Sequence, residues 1–78
     1  MTVRTGDHPL IAIDPQIMAG KPCIKGTRIS VHHVLQHLGD GMTPEAYLRE
    51  FPSVTAEGIR AAQAWAAAYF AEEDVVYG

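Results

Sequence analysis

Between Gly6 and Gly26 a proline or glycine recurs every two to six residues, at Gly6, Pro9, Pro15, Gly20, Pro22 and Gly26. No helix of useful length fits between such breakers, because proline removes a backbone donor and clashes with the preceding turn, while glycine leaves the backbone too free. Short extended pieces do fit. His8 to Ile13 reads as one strand, and Pro22 to Ile24 and Arg28 to Ser30 offer others, with turns at Asp14-Pro15 and Lys25-Gly26.

The pattern changes at Ser30. Val31, Val34, Leu35 and Leu38 follow at i, i+3, i+4 and i+7, one face of a helix that Ser30 caps and that Gly39 or Gly41 ends. Thr43-Pro44 repeats the start signal, with proline at the first helical position, where its missing N–H costs nothing. Tyr47, Leu48 and Phe51 are the buried stripe of this second helix, and Pro52 stops it. Thr55 opens a third, over roughly residues 55–73, with Ile59, Ala62, Ala66, Tyr69 and Phe70 on its core side. The acidic run Glu72-Glu73-Asp74 opposes the helix dipole, so its end is expected to fray. The apolar tail from Val75 to Tyr77 has no evident place in the core.

At 78 residues the chain makes a single domain, 1–78, divided into strands and turns (1–29), a three-helix unit (30–73) and a tail (74–78). A composition 47% hydrophobic and 19% charged is that of a globular chain. So small a core is commonly completed by a second copy, and with the apolar tail and the alanine face of helix three this predicts a homodimer. The lone Cys23 forms no internal disulfide, the N-terminus lacks the apolar core of a secretory signal, and no run approaches membrane-spanning length. A soluble cytoplasmic protein without a membrane partner is the expectation.

A net charge of −3 argues against nonspecific coating of nucleic acid, which is driven by cations replacing phosphate counterions. Its distribution is uneven. Residues 1–30 hold four cations against two acids, and residues 31–78 hold two cations against seven acids. The tight link Pro52-Ser53-Val54 matches a helix-turn-helix, whose last helix would enter the major groove. That helix is a poor reader of bases. Its exposed early positions would be Glu57, Arg60, Ala61 and Ala64, of which only Arg60 reads a guanine well. The remaining alanines, through Ala67, Ala68 and Ala71, equally suit close packing against another helix or simple helix formation.

Nothing in the sequence resembles an enzyme site. His33, Gln36, His37 and Asp40 lie opposite the apolar stripe of helix one; two histidines four apart can chelate a metal with Asp40 as a third ligand, but a solvated polar face is the simpler reading, and no cofactor is implied. Cys23, between Pro22 and Ile24, is expected to be buried with a raised pKa. Gly20-Lys21-Pro22 and Lys25-Gly26-Thr27 are fragments of a phosphate loop without its spacing.

The run GKPCIKGTRI (Gly20 to Ile29), followed by DGMTPEAYLREFPSVTAEGI (Asp40 to Ile59), resembles the small bacterial and archaeal family catalogued as domain of unknown function 433, described as antitoxin-like and related to VapB-type antitoxins. The resemblance spans about residues 10–70. It implies a short N-terminal sheet, a homeodomain-like three-helix unit, dimerisation and pairing with a PIN-like ribonuclease toxin; the family has no agreed catalytic residues. The alanine-rich third helix and short acidic tail set this chain apart from many members.

The fold expected is therefore α+β and mainly α, a short N-terminal β element before a homeodomain-like helix-turn-helix bundle. The function expected is that of an antitoxin-like regulator that binds a toxin and, as a second ligand, operator DNA; the alternative is an interaction or dimer module without a DNA role. Lys21, Lys25, Arg28 and Arg60 are the candidate nucleic-acid contacts, although Arg28 equally suits holding a carboxylate such as Asp14 or a helix C-terminus. Trp65, Glu72, Glu73, Val75, Val76 and Tyr77 are the candidate partner contacts, the acidic and apolar tail covering a basic nuclease channel or adding an edge strand within the dimer.

Overall fold

The computed structural model describes residues 8–72; Arg4, Glu73, Asp74, Val75, Val76 and Tyr77, and with them the expected fraying and the role of the tail, lie outside the described residues. The architecture is the α+β, mainly α arrangement expected from the breaker pattern. Strand β1 (Ile11–Ala12) pairs antiparallel with β2 (Cys23–Ile24), Ile11 opposite Ile24 and Ala12 opposite Cys23.

Both strands are shorter than the sequence suggests, because local turns capture the backbone. The Ile11 amide donates to the His8 carbonyl (3.1 Å), which removes residues 8–10 from β1. Past Ala12, Asp14 opens a turn in which its carboxylate accepts the Gln16 amide (2.9 Å) and its carbonyl the Ile17 amide (2.9 Å). Arg28 to Ser30 contributes one bridge, Cys23 to Ser30, in place of a strand. The Lys25-Gly26 turn forms as expected. Gly26 sits at φ +81°, the Thr27 amide donates to the Ile24 carbonyl (3.0 Å), and the Thr27 hydroxyl donates to the same carbonyl (2.8 Å) while accepting the Ile29 amide (3.0 Å).

Three helices follow, α1 (Val31–Gly39), α2 (Pro44–Glu50) and α3 (Ala56–Glu72). Each begins at a hydroxyl that accepts the amide three residues on: Ser30 from His33 (3.0 Å), Thr43 from Ala46 (3.1 Å) and Thr55 from Gly58 (3.0 Å). Each such cap stabilises its helix by about 1 kcal/mol. Helix α1 ends in a Schellman turn, the Met42 amide donating to the His37 carbonyl and the Gly41 amide to the Leu38 carbonyl (both 3.1 Å), with Gly41 at φ +104°.

The core joins both strands to all three helices through Ile11, Ile24, Val34, Tyr47, Ile59 and Ala62, with Val54 from the α2–α3 link buried among them. Helix α3 approaches the sheet closely at Gly58, where a Cβ would stand 3.2 Å from a Val54 methyl and 3.3 Å from an Ile24 methyl. One expectation for α3 fails at its far end. Tyr69 and Phe70, placed on the core side by periodicity, are 38% and 64% exposed. At about 1.5 Å per residue α3 runs roughly 25 Å and α1 only about 13 Å, so the last turns of α3 outrun the helix that would cover them.

Candidate partner-binding groove

The uncovered end of α3 forms one wall of an apolar groove of about 510 Å³. The other wall is built by the segment entering α1. The Val31 amide donates to the Pro22 carbonyl (2.9 Å), which ties residues 21–22 to the first turn of α1 and lays Lys21 and Pro22 beside His32 and Leu35. Across from them stand Trp65, Ala66, Tyr69 and Phe70. The Trp65 and Tyr69 rings stack at 5.3 Å between centroids, and Phe70 meets Tyr69 edge-on at 5.2 Å. The indole N–H of Trp65 is shielded from solvent and has no acceptor among the described residues. Such an orphaned donor costs about 1–3 kcal/mol. Among the described residues, Lys21 is the one charged side chain that lines the groove.

Of the candidate partner contacts, Trp65 is in this groove and Glu72 ends α3. The sequence missed Tyr69, Phe70, Leu35, Pro22 and His32. A usable signal was present: Tyr69 and Phe70 are adjacent and so about 100° apart on a helix, too wide for both to follow Ala66 into a narrow core.

The four candidate nucleic-acid contacts do not share one surface. Lys21 borders the groove, whereas Arg60 lines a separate dip of about 260 Å³ with Glu45 and Gln63, between α2 and α3. Lys25 and Arg28 are exposed on the β2–α1 connection. Asp14, offered as a carboxylate for Arg28, has an oxygen engaged by the Gln16 amide. Ala61 is 2% exposed and belongs to the core, which corrects its place among the exposed early positions of α3 and leaves Glu57, Arg60 and Ala64. It also narrows the alanine face to Ala64, Ala67, Ala68 and Ala71.

The polar face of α1 is solvated as expected at Gln36 and Asp40, which are exposed, but not at His33 and His37, on which α2 packs. His33 Nδ1 and the Tyr47 hydroxyl share a 2.9 Å hydrogen bond, the His33 and His37 rings stack at 4.1 Å, and Phe51 meets both edge-on at 4.8 and 5.6 Å. His37 Nδ1 lies 2.9 Å from the His33 carbonyl, which can only accept, so His37 carries its proton there. Burial, with the adjoining His37 and His32, holds His33 below the ordinary imidazole range. Among the described residues no three potential metal ligands are gathered, Asp40 with the two histidines included. Cys23 is buried as expected, its thiol donating to the Lys21 carbonyl (3.3 Å); burial pushes its pKa up, and the Lys21 charge partly opposes that.

The family described as "Protein of unknown function (DUF433)" matches residues 11–66, from β1 to the middle of α3. The chain belongs to the DUF433 family. A curated relative, the uncharacterized protein y4eO of Sinorhizobium fredii (strain NBRC 101917 / NGR234), is 36% identical over 59 residues. That stretch is 76% of this chain and 27% of the relative, so the DUF433 chain spans about a quarter of that protein. The crystal structure of a DUF433 member from Anabaena variabilis superposes with a TM-score of 0.69 at 28% identity, covering 81% of this chain and 58% of that one. The family match ends at Ala66, so Trp65 falls inside it, whereas Tyr69 and Phe70 follow it. Among the described residues no helix is long and apolar enough to cross a membrane.

Proposed function

We propose that this DUF433 chain is a non-catalytic, antitoxin-like regulatory module that works by binding another protein, and that the α1–α3 groove is its binding face. The observation that carries this reading is the groove itself, walled by Trp65, Tyr69 and Phe70, with a buried indole N–H that meets no acceptor among the described residues. A domain of this size gains by covering exposed aromatic area, and aromatic residues at the centre of a concave face are the usual energetic anchors of a protein contact. A PIN-like nuclease encoded next to this chain is the partner the VapB-type resemblance suggests, and a cytoplasmic location goes with it. Operator DNA is the second ligand, with Lys21, Lys25, Arg28 and Arg60 as the cations to test.

The alternative, an interaction module without a DNA role, is favoured by one specific observation: Lys21 and Arg60 open onto different surfaces, and Ala61 is withdrawn into the core. Co-expression with the neighbouring gene product decides the main reading. Co-purification and loss of nuclease activity are expected, both weakened at least tenfold by Trp65→Ala; a partner that binds wild type and variant alike rules the groove out. Mobility shift on the chain's own promoter separates the two forms. Operator binding should weaken with salt by a slope of about −0.9 per phosphate neutralised, and no shift at low salt, with or without the partner, leaves the DNA-free form.

A further inference from the structure

We infer that the α1–α3 groove takes a small carboxylate with an aromatic or apolar body, and that this ligand and the protein partner exclude one another. Only the exclusion rests on reading the groove as a partner face, and it adds a means of regulation to that reading. Size and lining come first. A hollow of about 510 Å³ lies within the range of about 300–1,000 Å³ in which proteins hold small molecules, and such sites are mainly apolar with few polar groups. On the α3 wall the Trp65 and Tyr69 rings stack 12° from parallel, an arrangement that a ligand's own ring extends by one layer, and Leu35 stands on the wall across. Such a body covers aromatic area that the fold leaves open at Tyr69 and Phe70.

The opposite wall supplies the polar groups, and it has more to give than to accept. Lys21 is the one charged side chain among the described residues that line the groove. The Val31–Pro22 hydrogen bond and the Cys23–Ser30 bridge hold Lys21 beside the start of α1. There the Ser30 hydroxyl, in a residue only 8% exposed, accepts the His33 amide and keeps its own proton to donate, and the His32 amide has no acceptor among the described residues. The backbone acceptors next to them are taken, the Pro22 carbonyl by the Val31 amide and the Lys21 carbonyl by the Cys23 thiol. An ammonium, a hydroxyl proton and a spare amide together suit an anionic acceptor, and the opening of a helix favours the same sign. One lysine matches one negative charge. A carboxylate carries that charge, whereas a phosphate, with about two at neutral pH, leaves one unmatched.

Hydrocinnamate, ionised at neutral pH, is the probe, and Trp65, the single tryptophan, is the reporter. Titrated into the full chain, it should change the Trp65 emission saturably. Two analogues divide the site. Hydrocinnamamide keeps the body without the charge and should bind about tenfold more weakly, whereas acetate keeps the charge without the body and should leave the emission unchanged. Lys21→Met should weaken hydrocinnamate about fivefold with unchanged far-UV circular dichroism, because Lys21 is exposed and supports no core, and Lys21→Arg should restore binding. Saturating hydrocinnamate should also reduce co-purification of the neighbouring gene product. No saturable change overturns the inference, and so does a response that ignores both the amide and Lys21→Met, which is apolar adhesion only. An emission shift that follows protein dilution instead of ligand seats a second copy in the groove and overturns it as well. The complex separates this inference from the reading of the groove. A partner held through Trp65 that saturating hydrocinnamate does not release overturns the inference and leaves the partner face standing. Hydrocinnamate binding beside a partner indifferent to Trp65→Ala keeps the ligand and removes the partner face.

Discussion

The α1–α2 seam and the α1–α3 end each gather aromatic side chains on helices, and they differ in whether those side chains are finished. In the seam His33, His37, Tyr47 and Phe51 are mutual neighbours, and the buried Tyr47 hydroxyl has a partner in His33. At the far end Trp65 packs half-buried against the core, but Tyr69 and Phe70, which follow it ring on ring, stay exposed, and the Trp65 N–H has no acceptor among the described residues. Satisfied polar atoms and closed packing mark a cluster that holds the fold. Unsatisfied atoms beside exposed rings mark one that is kept for something else.

Substituting one ring from each cluster by alanine should produce the largest contrast. Tyr47 is fully buried, so Tyr47→Ala leaves a cavity and strands His33, and should cost about 3–5 kcal/mol. For a domain of this size that approaches the whole of its stability. Phe70→Ala should change unfolding free energy by less than about 0.5 kcal/mol in the monomer, as exposed substitutions do. Urea unfolding at low micromolar concentration measures both, and equal losses would erase the distinction between the two regions.

Gly58 tests the closed side of α3 with a smaller step. An exposed glycine-to-alanine change inside a helix gains up to about 1 kcal/mol from propensity. Here the added methyl meets Val54 and Ile24, both buried, and overpacking a filled core costs about 1–3 kcal/mol. The net should be a loss of about 1 kcal/mol; a gain would mean that the β2–α3 contact gives way more easily than the seam.

Acid should sharpen the comparison next. Because His33 is held below the ordinary imidazole pKa, the unfolded chain binds a proton more readily than the folded one as pH falls through about 6.5. Stability contributed by the seam is therefore present above that value and lost progressively below it, down to the depressed pKa of the folded state. His33→Asn, which keeps an acceptor near the position of Nδ1 but does not titrate, should flatten that acid limb between pH 7 and 5. Tyr47 and Cys23 have the opposite sign: burial raises both, so their contribution is intact below their ordinary pKa values and falls away as pH rises above them. Thermal unfolding from pH 5 to 10 should show both limbs, and an acid limb unchanged by His33→Asn would place the titrating group elsewhere.

How far the sequence discloses these two regions follows from the range of the forces involved. Helix starts are legible because Ser30, Thr43 and Thr55 satisfy amides three residues away, a local bond that needs no tertiary partner. The Gly26 turn is legible for the same reason. The strands shorten because turns at His8 and Asp14, equally local, compete for the same backbone. Tertiary neighbours are another matter: that α2 would cover His33 and His37, or that α1 would begin too late to cover Tyr69 and Phe70, depends on where helices pass one another. Of the groove, periodicity reaches Leu35, Ala66, Tyr69 and Phe70, all assigned to the core, and nothing local reveals that the Pro22 carbonyl would be bound by the Val31 amide to close its second wall.

The smallest expected effect concerns that second wall. The chain enters it through Met18, Ala19 and Gly20, three successive residues at positive φ (52°, 56° and 85°), closed by the Gly20 amide on Ile17 (3.1 Å) and the Lys21 amide on Met18 (3.1 Å). Glycine adopts this left-handed conformation freely, but for an L residue with a Cβ it costs about 1–2 kcal/mol. The seam helices carry no such strain among the described residues, so this cost falls on the open end. Ala19 is exposed, which makes Ala19→Gly a change of backbone preference with almost no loss of packing. Relief of the left-handed penalty should exceed the extra freedom that glycine gives the unfolded chain, about 0.4–1 kcal/mol, and leave a net gain of about 0.5 kcal/mol. Alanine at Gly20 should do the reverse, with a loss of about 1 kcal/mol, because its φ of 85° suits only glycine. Denaturant midpoints of the two variants read against wild type provide the test. A destabilising Ala19→Gly would mean that the segment is held by contacts of its side chains and that the groove's entry wall is as closed in its packing as the α1–α2 seam.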